Sequence, residues 1–524
     1  MSTETYARIL WVVLDGFGHE HARRFLQTPG RFPALERVAR EGYLGPCRPS
    51  EPVCQTPTAL TALFTGAGPR ESGVWGYKVP DPRRLERSIS GFSIDRSGGS
   101  AIWDDLESAG TSFSILNVAF RRDAIWSKPY AHLAFAYDGY RNLGRPLMVD
   151  LDDDRARFEF KGIEIEAVRR RAGVDLRHGS RLLARLVPGA DAEIILTRGT
   201  RAYAHLLTPE ALTLFPESPA VVRFGPAAPA GIGRPPAAES FRDMSVFRRA
   251  RRLADAGVPI SIDAELAPSR AAVRQQTGLV RWAFSEAAAR CTICYLPLVD
   301  EASHSWVHAW ESRPADPRAE ELFTECASMI DGFLADLMAT IGPETLLVLS
   351  SDHGALPFRR MLHVNEALAD AGIVHRAGGG YDGGRSAAWY HPSDCGQVVV
   401  NEPEARRRGL SRPALAAAVR AAVETSNRAH GARIAAIDAE PGDPFLLQLY
   451  PEADTYLTGD APSPGKPALN PRRSGGHHLG PLTPSPWIDA LLGLWSPREG
   501  SRTPEGAPRR NTEVKDSLLQ RLAR

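Results

Sequence analysis

Apolar residues in this chain gather into short unbroken runs that stop at an acid. Thr345-Leu346-Leu347-Val348-Leu349 leads into Ser350-Ser351-Asp352-His353-Gly354, and Arg8-Ile9-Leu10-Trp11-Val12-Val13-Leu14 leads into Asp15-Gly16-Phe17-Gly18. Thr292-Ile293-Cys294-Tyr295-Leu296-Pro297-Leu298-Val299 leads into Asp300-Glu301-Ala302-Ser303-His304. Runs of this kind predict strands buried on both faces of a parallel sheet. In open α/β sheets ligands sit beyond the carboxyl ends of the strands, which is where these acids would emerge.

Helical periodicity appears between the runs, at 33–42, 101–109, 270–289 and 317–341, with a further strand at 113–118. Thr56 reads as an N-cap with Pro57 at the first helical position, and Gly66 sits where that helix would stop. The stretch 125–275 is looser. It predicts strands at 192–197, 220–224 and 259–264, helices at 178–187 and 246–255, and a Pro/Gly loop at 226–236. After Gly354 come a helix at 362–368, a strand at 397–401, an alanine-rich helix at 412–426, and a glycine- and histidine-rich loop at 472–480. From about 497 the chain is charged and proline-bearing, and is expected to fray except for a short terminal helix. No internal repeat is visible.

With 524 residues, 43% of them hydrophobic, the chain can bury a large core. A formal net charge of +1 gives no global field for duplex nucleic acid or an anionic membrane, and neither is expected as a partner. No apolar run reaches the roughly 18 residues needed to span a bilayer. The polar N-terminus lacks the features of a signal peptide, and the six cysteines form no dense framework, so the expected compartment is the cytoplasm. Cys291 and Cys294 have CxxC spacing without a second pair, and read as buried strand residues.

Asp352-His353-Gly354 by itself reads equally as a turn with an Asx cap beside a surface histidine. Three strand-end acids, Asp15, Asp300 and Asp352, change the balance. His353 and His304 follow two of them closely, and Gly475-Gly476-His477-His478 adds imidazoles among residues too small to block them. Carboxylates to neutralise cations and imidazoles to fix geometry are what a two-metal site needs.

In this order the motifs resemble the alkaline phosphatase superfamily, and within it the type I phosphodiesterase/nucleotide pyrophosphatase family. They are Val13-Leu14-Asp15-Gly16, the Thr56 to Thr65-Gly66 segment, Asp300-x-x-x-His304, Ser351-Asp352-His353-Gly354 and Gly475-Gly476-His477. The resemblance implies an α/β fold: an alkaline phosphatase-like three-layer sandwich with a central, mostly parallel sheet flanked by helices. The catalytic domain would span 1–496, with its core at about 8–120, 276–370 and 466–496, insertions at about 125–275 and 371–465, and a partly disordered tail at 497–524. It implies two divalent ions, zinc first, with manganese or magnesium as alternatives. One would lie on Asp15, Asp352, His353 and Thr56. The other would lie on Asp300, His304 and one histidine of the 477–478 pair, with His477 favoured and His478 fitting as well. Thr56 would be the nucleophile in the hydrolysis of a small-molecule phosphate ester or nucleotide-like substrate.

The pattern departs from the family in places. Pro57 follows Thr56 directly, which leaves Gln55 and Thr58 as competitors for alignment with the nucleophile. Gln55 cannot attack, and Thr58 would lie inside the helix. Where the family has a phosphate-binding asparagine, this chain has Tyr77, whose hydroxyl can donate to a phosphate oxygen. His19, His308 and His363 lie near motifs and read first as surface residues, and otherwise as supports behind the ligands. The alternatives are a phosphomonoesterase or phosphomutase on the same scaffold, or a non-catalytic ligand-binding relative. A sulfatase fits less well, because Cys54 is two residues out of register.

Overall fold

The apolar runs lie side by side in an eight-stranded sheet. Its order is Val221–Phe224, Leu133–Asp138, Phe113–Leu116, Cys291–Leu296, Arg8–Leu14, Thr345–Ser350, Ala490–Trp495, Tyr43–Cys47. The computed structural model describes residues 4–522 apart from 82–83, 95–97, 121, 140–145, 198–199, 217–220, 237–245, 392–394, 441–444, 463–467, 471–474, 482 and 499–506. From Leu133–Asp138 to Thr345–Ser350 neighbouring strands are parallel, and the outer pairings are antiparallel. Leu14 pairs with Leu296 and Val13 with Ser350. The central strands therefore end level, and the loops that follow leave from one edge.

Alternation along Arg8–Leu14 explains the three layers. Leu10, Val12 and Leu14 enter a core shared with the helices Pro33–Glu41, Ile262–Glu286, Leu298–Glu311 and Pro317–Thr340. Ile9, Trp11 and Val13 enter the opposite core with Thr56–Thr65, Ile102–Ser108 and Asn511–Arg521. Cys291 and Cys294 are buried, one in each core. Among the described residues no helix is long and apolar enough to cross a membrane.

The first looser stretch is an insertion only in part, because Leu133–Asp138 and Val221–Phe224 join the central sheet. Between them, two four-stranded sheets pack face to face around Phe160, Ile165, Leu176, Leu186, Ile194, Leu206 and Leu214. The helix expected at 178–187 is instead the hairpin Gly173–His178/Arg181–Leu186. Gly179, with φ +57, and Ser180 make its two-residue turn, a Gly-Ser signal that outweighs the helical spacing. The strand expected at 259–264 is the start of Ile262–Glu286, where the Ser261 side chain accepts from the Ala264 N–H. The second looser stretch folds as a four-stranded antiparallel sheet backed by Arg412–His430. The segment at 362–368 splits into the strand Arg360–His363 and the helix Val364–Asp370.

Leu298–Glu311 starts two residues after Cys291–Leu296 ends, so Asp300 and His304 lie on a helix and not in a strand-end loop as the apolar run suggested. That helix is clamped from behind. Fully buried Glu265 accepts from Trp306 Nε1 (2.8 Å) and from Arg318 Nη2 (2.5 Å). Burial pushes Glu265 up to about 7, against the pull of Arg318 and Trp306. Its folded value lies above the ordinary 4.5, so between those pH values the folded state binds the extra proton and stability falls as pH rises. In Glu265→Gln that penalty is gone. Its Tm relative to wild type should climb from pH 4.5 to 7 and then level off; a difference that does not change with pH would contradict this account.

Candidate active site

The loops at the carboxyl edge are drawn together by close backbone approach. Gly16 has φ +66, and a Cβ there would lie 2.6 Å from Asp300 Cα. The Asp300 N–H donates to the Asp15 carbonyl (3.1 Å). Asp352 Oδ1 accepts from the N–H groups of Gly16 (3.3 Å) and His353 (3.0 Å). The short strand Gly475–His477 pairs with Leu356–Phe358 and lies directly on the Leu298–Glu311 helix. A Cβ on Gly475 would meet the His304 carbonyl at 2.5 Å, and one on Gly476 the Ser303 carbonyl at 2.6 Å. The two glycines are therefore what lets His478 reach the site.

Two trios result. Asp15, Asp352 and His353 offer ligand atoms within 4.8 Å of one another, and so do Asp300, His304 and His478. His353 Nε2 is 3.2 Å from Asp352 Oδ2 and 3.5 Å from Asp15 Oδ1. In the second trio, Asp300 Oδ1 is 2.8 Å from His478 Nε2 and Asp300 Oδ2 is 3.3 Å from His304 Nε2. The trios abut, with the His353 and His478 rings 3.9 Å apart.

All three imidazoles are oriented alike. His353 Nδ1 (3.0 Å) and His478 Nδ1 (2.9 Å) both reach the Gly354 carbonyl, and His304 Nδ1 reaches the Gly476 carbonyl (3.1 Å). An Nδ1–H held on a backbone carbonyl leaves Nε2 as the atom facing the carboxylates, the usual arrangement of a metal-bound imidazole.

Thr56 lies against the first trio. Its Oγ1 is 3.1 Å from His353 Nε2 and 2.7 Å from the Tyr77 hydroxyl. Gln55, not Thr56, is the N-cap, so Thr56 occupies the first helical position and Pro57 the second. The shift by one residue still presents the hydroxyl. Gln55 Oε1 accepts from the Tyr77 N–H (2.9 Å) and so tethers Tyr77 over the nucleophile position. Thr58 is buried inside the helix.

His478, and not the favoured His477, joins the second trio. Strand alternation turns neighbouring side chains to opposite faces. His477 packs on Phe358 and Tyr456, with Nε2 3.5 Å from the Ala453 carbonyl. His308 and His363 are buried, not on the surface, and belong to neither trio. Tyr295 is a contributor that the sequence reading passed over: its hydroxyl donates to Asp15 Oδ2. Its signal was a polar tip in the penultimate position of a strand that leads to an acid.

Charge is out of balance here. Burial raises Asp15 well above the usual carboxylate range, and Asp352 and Asp300 add to the effect. Burial takes Asp352 up to about 7. Burial would also raise Asp300, but His304 and His478 outweigh it and hold it low. His304 is raised to about 9, since Asp300 overcomes the effect of burial. His353 is pushed well below its ordinary value by burial and by His478. Asp15 Oδ1 and Asp352 Oδ2 are buried and accept no hydrogen bond among the described residues. A buried carboxylate without a partner costs several kcal/mol. Unpaired carboxylate oxygens facing oriented Nε2 atoms fit a pair of divalent cations.

The sequence matches the family model for type I phosphodiesterase / nucleotide pyrophosphatase over residues 9–177 and 240–462, more than half of the chain. These segments include every site residue above except His478. No curated protein matches the sequence. Among solved structures, a variant of the alkaline phosphatase PafA is 13% identical with a TM-score of 0.52, over 99% of this chain and 97% of that one. Murine ectonucleotide pyrophosphatase / phosphodiesterase 5 in complex with AMP is 11% identical with a TM-score of 0.48, over 98% and 95%. Phosphonoacetate hydrolase from Sinorhizobium meliloti 1021 is 14% identical with a TM-score of 0.46, over 100% and 99%. The likeness to PafA is one of fold, and the family match carries the class of chemistry. The chain belongs to the type I phosphodiesterase / nucleotide pyrophosphatase family, and is a phosphoric ester hydrolase with an alkaline phosphatase-like fold.

Proposed function

We propose that the protein hydrolyses small-molecule phosphodiesters or nucleotide-like pyrophosphates through a phospho-threonine intermediate on Thr56. The observation that carries this reading is the Thr56 hydroxyl beside two abutting trios of carboxylate and imidazole. Asp15, Asp352 and His353 would hold one divalent ion, and Asp300, His304 and His478 the other. The mixed oxygen and nitrogen donors favour zinc, with manganese or magnesium as alternatives. Such ions supply Lewis acidity to phosphoryl oxygens and lower the pKa of a bound hydroxyl.

Thr56 Oγ1 attacks phosphorus, a P–O bond to the leaving group breaks, and the leaving oxygen takes up a proton. Water then attacks the phospho-threonine, breaks its P–O bond and restores the hydroxyl. The first turn of the Thr56–Thr65 helix adds a favourable dipole for the phosphoryl anion. Tyr77 is held as a neutral phenol, first by burial and then by Asp300 and Asp15. It orients Oγ1 in the free enzyme and donates to a phosphoryl oxygen in the substrate complex. A neutral donor beside the nucleophile suits the single charge of a diester better than the double charge of a monoester.

Thr56→Ala should lower kcat on bis(p-nitrophenyl) phosphate by at least about 1,000-fold while mass spectrometry still finds both ions. Wild-type turnover in that variant would remove Thr56 as nucleophile. Tyr77→Phe should cost about 100-fold in kcat, and wild-type kcat would show that its hydroxyl makes no contact with the transferring group. His304→Ala and His478→Ala should each reduce metal occupancy, while His477→Ala leaves it intact. Loss in His477→Ala with none in His478→Ala would reverse the assignment of the pair.

A further inference from the structure

The C-terminal helix Asn511–Arg521, the short terminal helix expected in an otherwise fraying tail, lies beyond residue 462, where the family match ends. It is built into the catalytic side of the fold. Val514, Leu518 and Leu522 share a core with Leu60, Leu63 and Phe64 of the Thr56–Thr65 helix. Tyr6 N–H donates to the Arg521 carbonyl (2.7 Å), which ties the helix end to the start of the central sheet.

Its first residue reaches the site itself. Asn511 is 1% exposed, and its Nδ2 donates to the backbone carbonyl of Asp352 at 2.6 Å. That carbonyl shares a peptide plane with the His353 N–H, which donates to Asp352 Oδ1 (3.0 Å). The plane is thus pinned at both ends, by Asn511 at the oxygen and by the Asp352 carboxylate at the nitrogen. Turning it would swing His353 away from Thr56, now 3.1 Å off. The backbone N–H of Asn511 also donates to the Arg48 carbonyl (2.9 Å), at the head of the segment that leads to Thr56. One residue therefore links the nucleophile segment to the loop that carries two members of the first trio. Asn511 Oδ1 is buried and accepts no hydrogen bond among the described residues, which is a poor arrangement for stability alone. The opposite amide orientation would set oxygen against the Asp352 carbonyl.

We propose that Asn511 is a positioning residue for the Asp15–Asp352–His353 trio, so that cation affinity there depends on the side-chain amide of this one residue. This rests on the two-ion reading above. Groups that orient metal ligands typically change affinity by about 10–100-fold when removed.

The test uses the full-length protein stripped of metal and titrated with zinc against a fluorescent chelator. Asn511→Ala should weaken one of the two zinc sites by about 10–100-fold and leave the other unchanged. With zinc restored, kcat should fall and KM should stay near wild type. Asn511→Asp keeps the side-chain volume, replaces the donor with an oxygen, and should show the same loss if the alanine variant folds poorly. Lys515→Met is the control. Lys515 anchors the same helix through Ser100 (3.3 Å) and Asp105 (3.0 Å) without touching Asp352. It should lower the Tm of the metal-free protein and leave both zinc affinities alone. Wild-type affinities in both Asn511 variants would overturn the proposal, as would an equal loss in Lys515→Met. A wild-type protein that takes up no divalent ion would instead sink the two-ion reading, and this inference with it.

Discussion

Three buried carboxylates, Asp15, Asp300 and Asp352, crowd one pocket, and the surrounding structure is organised to keep them there. Left alone, such a group would take up protons or draw in water. Level strand ends deliver two of the acids, and the helix after Cys291–Leu296 delivers the third. Gly16, Gly475 and Gly476 let backbones close to distances that a side chain would forbid. The Gly354 carbonyl, shared by two imidazoles, turns both Nε2 atoms inward. Together they hold carboxylate oxygens and imidazole Nε2 atoms where bound cations would offset the cost of burying the charge.

Function then follows from placement more than from the identity of any one residue. Thr56 has an ordinary hydroxyl that is inert at its free pKa. The role proposed for it rests on its place in the first helical turn, on Gln55, whose side chain tethers Tyr77, and on contact with His353. The two sheets of the first insertion share no core with these side chains, whereas the sheet of the second packs on Val53, Trp75 and Leu479, neighbours in sequence of Thr56, Tyr77 and His478.

Much of this was legible in the residue pattern. Apolar runs ending in acids located the central strands, because a strand buried on both faces leaves little choice of residue. The same logic overran at Leu298, where an apolar stretch passes from strand into helix without a polar break. The choice between His477 and His478 turned on strand alternation, and composition is silent about which face meets the site. Tyr295 and Asn511 were missed because their roles come from neighbours 280 and 159 residues away in sequence. The hairpin at Gly179 was misread for a local reason, a helical spacing on either side of a two-residue turn.

The central claim is that the two trios each hold a cation beside Thr56. Anomalous diffraction at the zinc edge, from crystals grown with zinc, tests it most directly. The account predicts two peaks, one among Asp15, Asp352 and His353 and one among Asp300, His304 and His478. A map with no peak at either trio, or with zinc only at sites remote from Thr56, would contradict it.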